Sequence, residues 1–371
     1  MLWRVEEHET LTERAWDPSR AEAAVAAIVA HAEAAAGEAG WPGHPHDDAA
    51  ESPSIGSLYL GSAGMIWALH ELGSSIDAAA MASAAIDRYR ASPDFAERAH
   101  PPSLWMGETG LLVVAARVGS PAADERRLRE LVRQNRQHPT WELMWGSPGT
   151  MLAARACGLG DEWSESAELL WKRWDMTTDL WTQNLYGRQS RLLGPAHGFA
   201  GNAHALRGYV SGDALSRRVT HVLERTAMRE NGLINWLPVA QPLPGRDLVR
   251  LQWCHGAPGI VATLGDLMPQ ELALAGAELT WRAGPLRKGS GLCHGTAGNG
   301  FAFLKVFTLT GDERWLDRAR RFAMHAIEQV QRERERFGHG RHTLWTGDVG
   351  VALYLRACAH ADATFPTIDR L

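Results

Sequence analysis

One short pattern recurs seven times in this chain: a few apolar residues, then Gly-x-x-Gly, then a small or apolar run. Its first glycine stands at positions 61, 107, 146, 198, 256, 295 and 347, at intervals of 39 to 58 residues. Each interval has room for two helices and their loops. The segments after the glycines, such as Met65-Ile66-Trp67-Ala68-Leu69 and Phe301-Ala302-Phe303-Leu304, are nearly continuous apolar sequence, as expected of helices buried on most sides. Between them lie amphipathic segments at 21–36, 76–89, 123–137, 161–175, 213–229 and 312–332, whose charged faces suit an outer layer. Glycine at a helix entrance lets neighbouring backbones approach closely. The same requirement repeated seven times predicts an all-α fold: an α/α toroid of about seven helical hairpins, with inner helices around a central cavity and residues 1–371 forming a single domain.

The rest of the composition narrows the function. Hydrophobic residues make up 45% of the chain, charged residues 22%, and the net charge is −5, which argues against a general nucleic-acid binder. The acidic, polar N-terminus does not read as a signal peptide, and no apolar run is long enough to span a bilayer, so the expectation is a cytoplasmic protein without a membrane partner. Sixteen tryptophans are read as packing between helices. Of four cysteines, Cys157 and Cys358 lie in Ala-rich apolar stretches and are read as core.

The other two cysteines sit in two copies of the repeated turn, Gln252-Trp253-Cys254-His255-Gly256-Ala257-Pro258-Gly259 and Gly291-Leu292-Cys293-His294-Gly295-Thr296-Ala297-Gly298. Thiolates and imidazoles are zinc ligands. Buried thiols, a disulfide, or likeness from repetition alone would also account for the pair, and a reducing compartment counts against the disulfide. Because all seven turns precede inner helices, they gather at one end of the ring, bringing Cys254, Cys293 and His294 together. Two insertions decorate the ring. The loop His44-Pro45-His46-Asp47-Asp48 has histidines read as solvated, and the Pro/Gly/Trp-rich segment 231–250 is long enough to be functional.

Taken together, Trp253-Cys254-His255-Gly256-Ala257-Pro258-Gly259, Cys293-His294-Gly295 and the upstream Gly194-Pro195-Ala196-His197-Gly198 resemble the lanthionine synthetase C (LanC) family, specifically its LanC-like branch. The resemblance implies a zinc ion held by Cys254, Cys293 and His294. It implies addition of a thiol, from a peptide cysteine or glutathione, to dehydroalanine or dehydrobutyrine in a dehydrated peptide or protein. By the same match His197 is the catalytic histidine and Arg250 the active-site arginine. Glu142 stands where the cyclases have aspartate, and His255 where they have tyrosine. Lys288 matches a glutathione-contacting lysine. Arg341 is a substrate-binding match, preceded by a segment (332–337) longer than in the family.

This set suits the chemistry. The thiolate is the nucleophile, and metal coordination removes its proton. Attack generates an enolate, for which His197 is a natural acid and Arg250 a donor to the oxyanion; Glu142 could orient either. Simpler roles stand beside these: Arg250 pairing with Asp247, Glu142 as a helix-dipole partner, Lys288 on a solvated face, and 332–336 as an exposed helix end. Other classes compatible with a toroid are a glycosidase, which needs two facing carboxylates, a zinc prenyltransferase-like enzyme, and a non-catalytic peptide-binding module with structural zinc.

Overall fold

The computed structural model describes residues 1–47, 55–94, 102–241 and 248–371. The helices run α1 (Pro18–Ala35), α2 (Ser62–Leu72), α3 (Ala78–Ala91), α4 (Glu108–Arg117), α5 (Glu125–Asn135), α6 (Ser147–Ala156) and α7 (Gly160–Lys172). A ribbon of β1 (Gln183–Leu185) and β2 (Arg188–Ser190) follows, then α8 (Phe199–Ala205) and α9 (Gly212–Thr226). A second ribbon, β3 (Ala227–Glu230) and β4 (Leu233–Trp236), precedes α10 (Ala257–Leu264), α11 (Gln270–Ala283), α12 (Thr296–Thr310), α13 (Glu313–Phe337) and α14 (Asp348–His360). The fold is an α/α toroid. Among the described residues, no helix is long and apolar enough to cross a membrane.

The even-numbered helices form the inner layer, and each begins one residue after the first glycine of a turn. The odd-numbered helices lie outside. Thus α3 bridges α2 and α4, α5 bridges α4 and α6, α11 bridges α10 and α12, and α13 bridges α12 and α14. Six outer helices follow the amphipathic segments of the sequence. The seventh, α11, is Ala/Leu-rich and has too weak a polar face to stand out. The helix expected over 213–229 stops at Thr226, because Asn231 and Gly232 both take left-handed conformations (φ 52° and 76°) and so close the tight hairpin that Asn-Gly favours.

The glycine spacing has a steric origin. None of the seven inner helices has a side-chain cap at its first glycine. Instead the free N–H groups of the first turn donate to carbonyls seven residues upstream, as in Ser62 to Ile55, Phe199 to Leu192, Thr296 to Gly289 and Asp348 to Arg341. That loop folds back over the second glycine. A methyl group there would fall 1.6 to 2.3 Å from the carbonyl oxygen six residues earlier in all seven turns.

Each second glycine also abuts the apolar residue that opens the preceding turn, from Gly110 on Leu58 round to Gly350 on Leu292. Gly64 in turn abuts Leu344, which joins the seventh turn to the first and closes the ring. Gly64→Ala should therefore destabilise the protein by about 3 kcal/mol or more through overpacking. Gly160→Ala, at a site with nothing within 4 Å, should be neutral or mildly stabilising. Urea unfolding of the two variants checks this, and equal midpoints would contradict the steric account.

Aromatic side chains pack together where the turns meet. Trp105, Trp253 and Trp345 pack with ring centroids 4.5 to 6.3 Å apart, and Phe365 stacks on Trp253 at 4.8 Å. Tryptophan thus serves packing, as expected. Cys358 is fully buried and Cys157 half-buried.

Candidate active site

Superimposing the seven turns in register explains where the reactive groups lie. The residue two before the first glycine is Tyr59, Trp105, Met144, Ala196, Cys254, Cys293 or Trp345, and the next is Leu60, Met106, Trp145, His197, His255, His294 or Thr346. Neighbouring turns are tied by backbone hydrogen bonds: Cys254 N–H to the Cys293 carbonyl at 3.0 Å, Cys293 N–H to Trp345 at 2.9 Å, and Tyr59 N–H to Trp105 at 2.9 Å. Equivalent positions therefore meet at one end of the ring, where the inner helices also present their positive N-terminal ends.

There the two sulfurs and a ring nitrogen of His294 lie within 4.8 Å of one another, and this is the one such group of three among the described residues. Tetrahedral zinc, with Zn–S near 2.3 Å, places two thiolates about 3.8 Å apart, so the donor set fits that ion in both kind and spacing. No disulfide forms, since all four cysteines are free. Cys254 and Cys293 are only 6% and 4% exposed. Sharing its proton with the neighbouring Cys293 sulfur, together with burial, holds the Cys254 thiol well above its usual range. Accepting that hydrogen bond, with the His294 and Tyr59 contacts added against burial, holds Cys293 well below it.

Beside this group stands a buried acid–base pair. His197 Nδ1 lies 2.8 Å from Glu142 Oε2. The fully buried Glu142 carboxylate also accepts from the backbone N–H groups of Met144 at 2.9 Å and Trp145 at 2.7 Å. Burial pulls the His197 imidazole down, but the Glu142 hydrogen bond and charge, with Cys293 nearby, outweigh it and the net direction is up. Held by three donors and shut off from solvent, this carboxylate is placed to orient His197 and not to activate a water, which speaks against the glycosidase reading. His255 stacks on His197 at 5.8 Å. Burial, then His197, Arg250 and His294, push it down to about 3, so it stays neutral beside a cation.

The remaining expected residues lie around this centre. Arg250 pairs with Glu7 at 3.4 Å, and its charge reaches His255; Asp247 lies outside the described residues. Lys288 is exposed, and its charge works to lower Cys254. Arg341, expected to bind substrate, is bound to Asp47 through Nε at 3.0 Å and also through Nη2. The Thr346 hydroxyl adds a third donor to the same carboxylate oxygen at 3.0 Å. The loop histidines are not solvated as a group. His44 is 1% exposed, packed on Phe337 at 4.7 Å and on His339 at 5.3 Å, and burial lowers it to about 4. His46 is partly exposed, and Asp48 lies outside the described residues. The cause is α13, which runs on to Phe337 and offers the loop an aromatic surface.

Sequence reasoning misses three contributors. Asn235 is fully buried, accepts from Ala257 N–H at 2.9 Å and donates to the Arg250 carbonyl at 3.0 Å. It thereby fixes the strand-to-turn path into Gly256, whose φ of 115° admits only glycine comfortably. Tyr59 contacts Cys293, and its register position, shared with both cysteines, was a legible signal. Gln252 carried none.

The profile of the family described as lanthionine synthetase C-like protein matches residues 52–369. The chain belongs to this family. It is 32% identical over 176 residues to glutathione S-transferase LANCL1 of Danio rerio, covering 45% of this chain and 40% of that protein. It is 30% identical over 190 residues to LanC-like protein GCL1 of Arabidopsis thaliana, covering 48% and 43%. The aligned part thus spans less than half the length of these curated relatives. Nisin cyclase has a similar fold, with a TM-score of 0.60 at 15% identity, covering 91% of this chain and 93% of that one.

Proposed function

We propose that this LanC-like chain, acting as one toroidal domain over residues 1–371, is a zinc-dependent enzyme that adds a thiol to dehydroalanine or dehydrobutyrine residues of a peptide or protein. The observation that carries the reading is the convergence of Cys254, Cys293 and His294 within 4.8 Å beside the His197–Glu142 pair. Zinc bound there supplies the Lewis acidity that ionises an incoming thiol near neutral pH.

This chain's residues do the rest. The thiol gives up its proton to solvent, the sulfur bonds to Cβ of the dehydro residue, the Cα=Cβ electron pair shifts to Cα, and a proton from His197 ends on Cα; His197 then regains a proton from solvent, so the thioether forms without a leaving group. Glu142 fixes the His197 ring through Nδ1 and leaves Nε2 to deliver that proton. His255, kept neutral, borders His197 without repelling its cationic form. The exposed cations Arg287 and Lys288, on the segment leading to Cys293, suit a thiol with carboxylates such as glutathione, and a reducing cytoplasmic setting suits the free cysteines. The relative named as a glutathione S-transferase supports that choice of thiol. Arg250, whose charge reaches His255, is the donor for the developing oxyanion, with Glu7 beside it; Arg341, engaged by Asp47, holds the 44–47 loop and stands as a substrate contact.

The test is mass spectrometry of a synthetic peptide with one dehydroalanine, incubated with glutathione and the purified protein. A thioether adduct above the uncatalysed rate is expected, and its absence would sink the proposal. A pH profile adds a sign. Protonated His197 is the acid, so turnover falls as pH rises through its raised pKa, and the stability lent by the pair is likewise full below the ordinary histidine range and lost as pH rises through that value. Glu142→Gln removes the charge and should move the falling limb to lower pH. An unmoved limb would separate Glu142 from the proton transfer.

A further inference from the structure

We infer that Gln252 and Tyr59 are positioning residues for the two cysteine ligands, Gln252 donating a hydrogen bond to Cys254 and Tyr59 one to Cys293, and that together they set the electron density on the metal-binding sulfurs. The inference rests on the reading that these cysteines hold zinc.

Gln252 Nε2 lies 3.0 Å from Cys254 Sγ. Its backbone is closed on His255 in both directions, N–H to carbonyl and carbonyl to N–H, each at 3.0 Å. This tight turn returns the Gln252 side chain over the residue two positions on. An amide N–H is a donor at every working pH, so the contact does not depend on a proton equilibrium. Tyr59 holds the same register position as Cys293, and Trp345 joins the two turns, accepting from Cys293 N–H at 2.9 Å and donating to the Tyr59 carbonyl at 3.5 Å; the phenol bears on the Cys293 sulfur and lowers it. The ring is held in place by stacking on Trp345 at 5.7 Å and by backbone bonds to Trp105 and Trp345 on either side. Gln252 thus gives Cys254 a side-chain donor from outside the ligand set, and Tyr59 is placed to do the same for Cys293; donors of this kind orient a ligand and draw charge from it.

The experiment measures metal affinity of the full chain by competition with a chromophoric chelator, and the sulfur-to-cobalt charge-transfer band of the cobalt-loaded protein. Gln252→Leu and Tyr59→Phe should each weaken zinc binding about tenfold. They should also move the band to longer wavelength, because a sulfur without its donor is easier to oxidise. Gln252→His, which keeps an N–H donor, should restore both values, a rescue that a merely structural role for Gln252 would not give. Wild-type affinity and band position in the Leu and Phe variants, with unchanged circular dichroism, would overturn the inference while leaving the zinc reading intact. A wild-type protein that binds neither zinc nor cobalt would overturn both.

Discussion

Cys293→Ala protein is expected to purify without zinc and to form no thioether above background. Cys293 is one of three donors within 4.8 Å, and a site left with one sulfur and one imidazole has lost a charged ligand in a buried position. The loss of affinity should exceed the 10- to 100-fold that outer partners of a metal site are worth. Elemental analysis of the purified protein reads the metal directly. The control is Cys358→Ala, which removes another fully buried thiol. It should keep its zinc at a cost of about 1 kcal/mol in stability. Equal metal content in the two variants would contradict the assignment of the ligands.

His197→Asn should slow thioether formation by 10²- to 10⁴-fold, the range for removal of a positioned general acid, while metal content stays at the wild-type level. The separation follows from geometry: His197 is anchored on Glu142 at 2.8 Å and is not one of the three grouped donors. Asparagine keeps a donor toward Glu142, which limits damage to the buried carboxylate. Steady-state turnover and elemental analysis of one preparation check both halves. A variant that retains most of its activity would leave the proton to another group.

Much of this was legible because the repeat itself carries the information. Seven Gly-x-x-Gly turns implied seven inner helices beginning at known residues, since each second glycine sits where no side chain fits. Setting the turns in register placed Cys254 and Cys293 at one level and His197, His255 and His294 at the next. Contacts made by the insertions were not legible. The burial of His44 depends on α13 extending to Phe337, and the capture of Arg341 by Asp47 joins residues nearly 300 positions apart. Neither segment has a period that announces its partner. The contact of Arg250 with Glu7 was equally illegible, because Glu7 belongs to the N-terminal segment, whose docking no local pattern reveals. Gln252 was overlooked because a side chain's return over its own turn is set by backbone closure, which a residue type does not encode.

The most direct test of the central claim is a zinc titration of the metal-stripped wild-type protein, following the rate of glutathione adduct formation on a dehydroalanine peptide. No turnover is expected before zinc is added, then a linear rise and a break at one zinc per chain. Turnover that is already full in the stripped protein, or that does not respond to zinc, would contradict it.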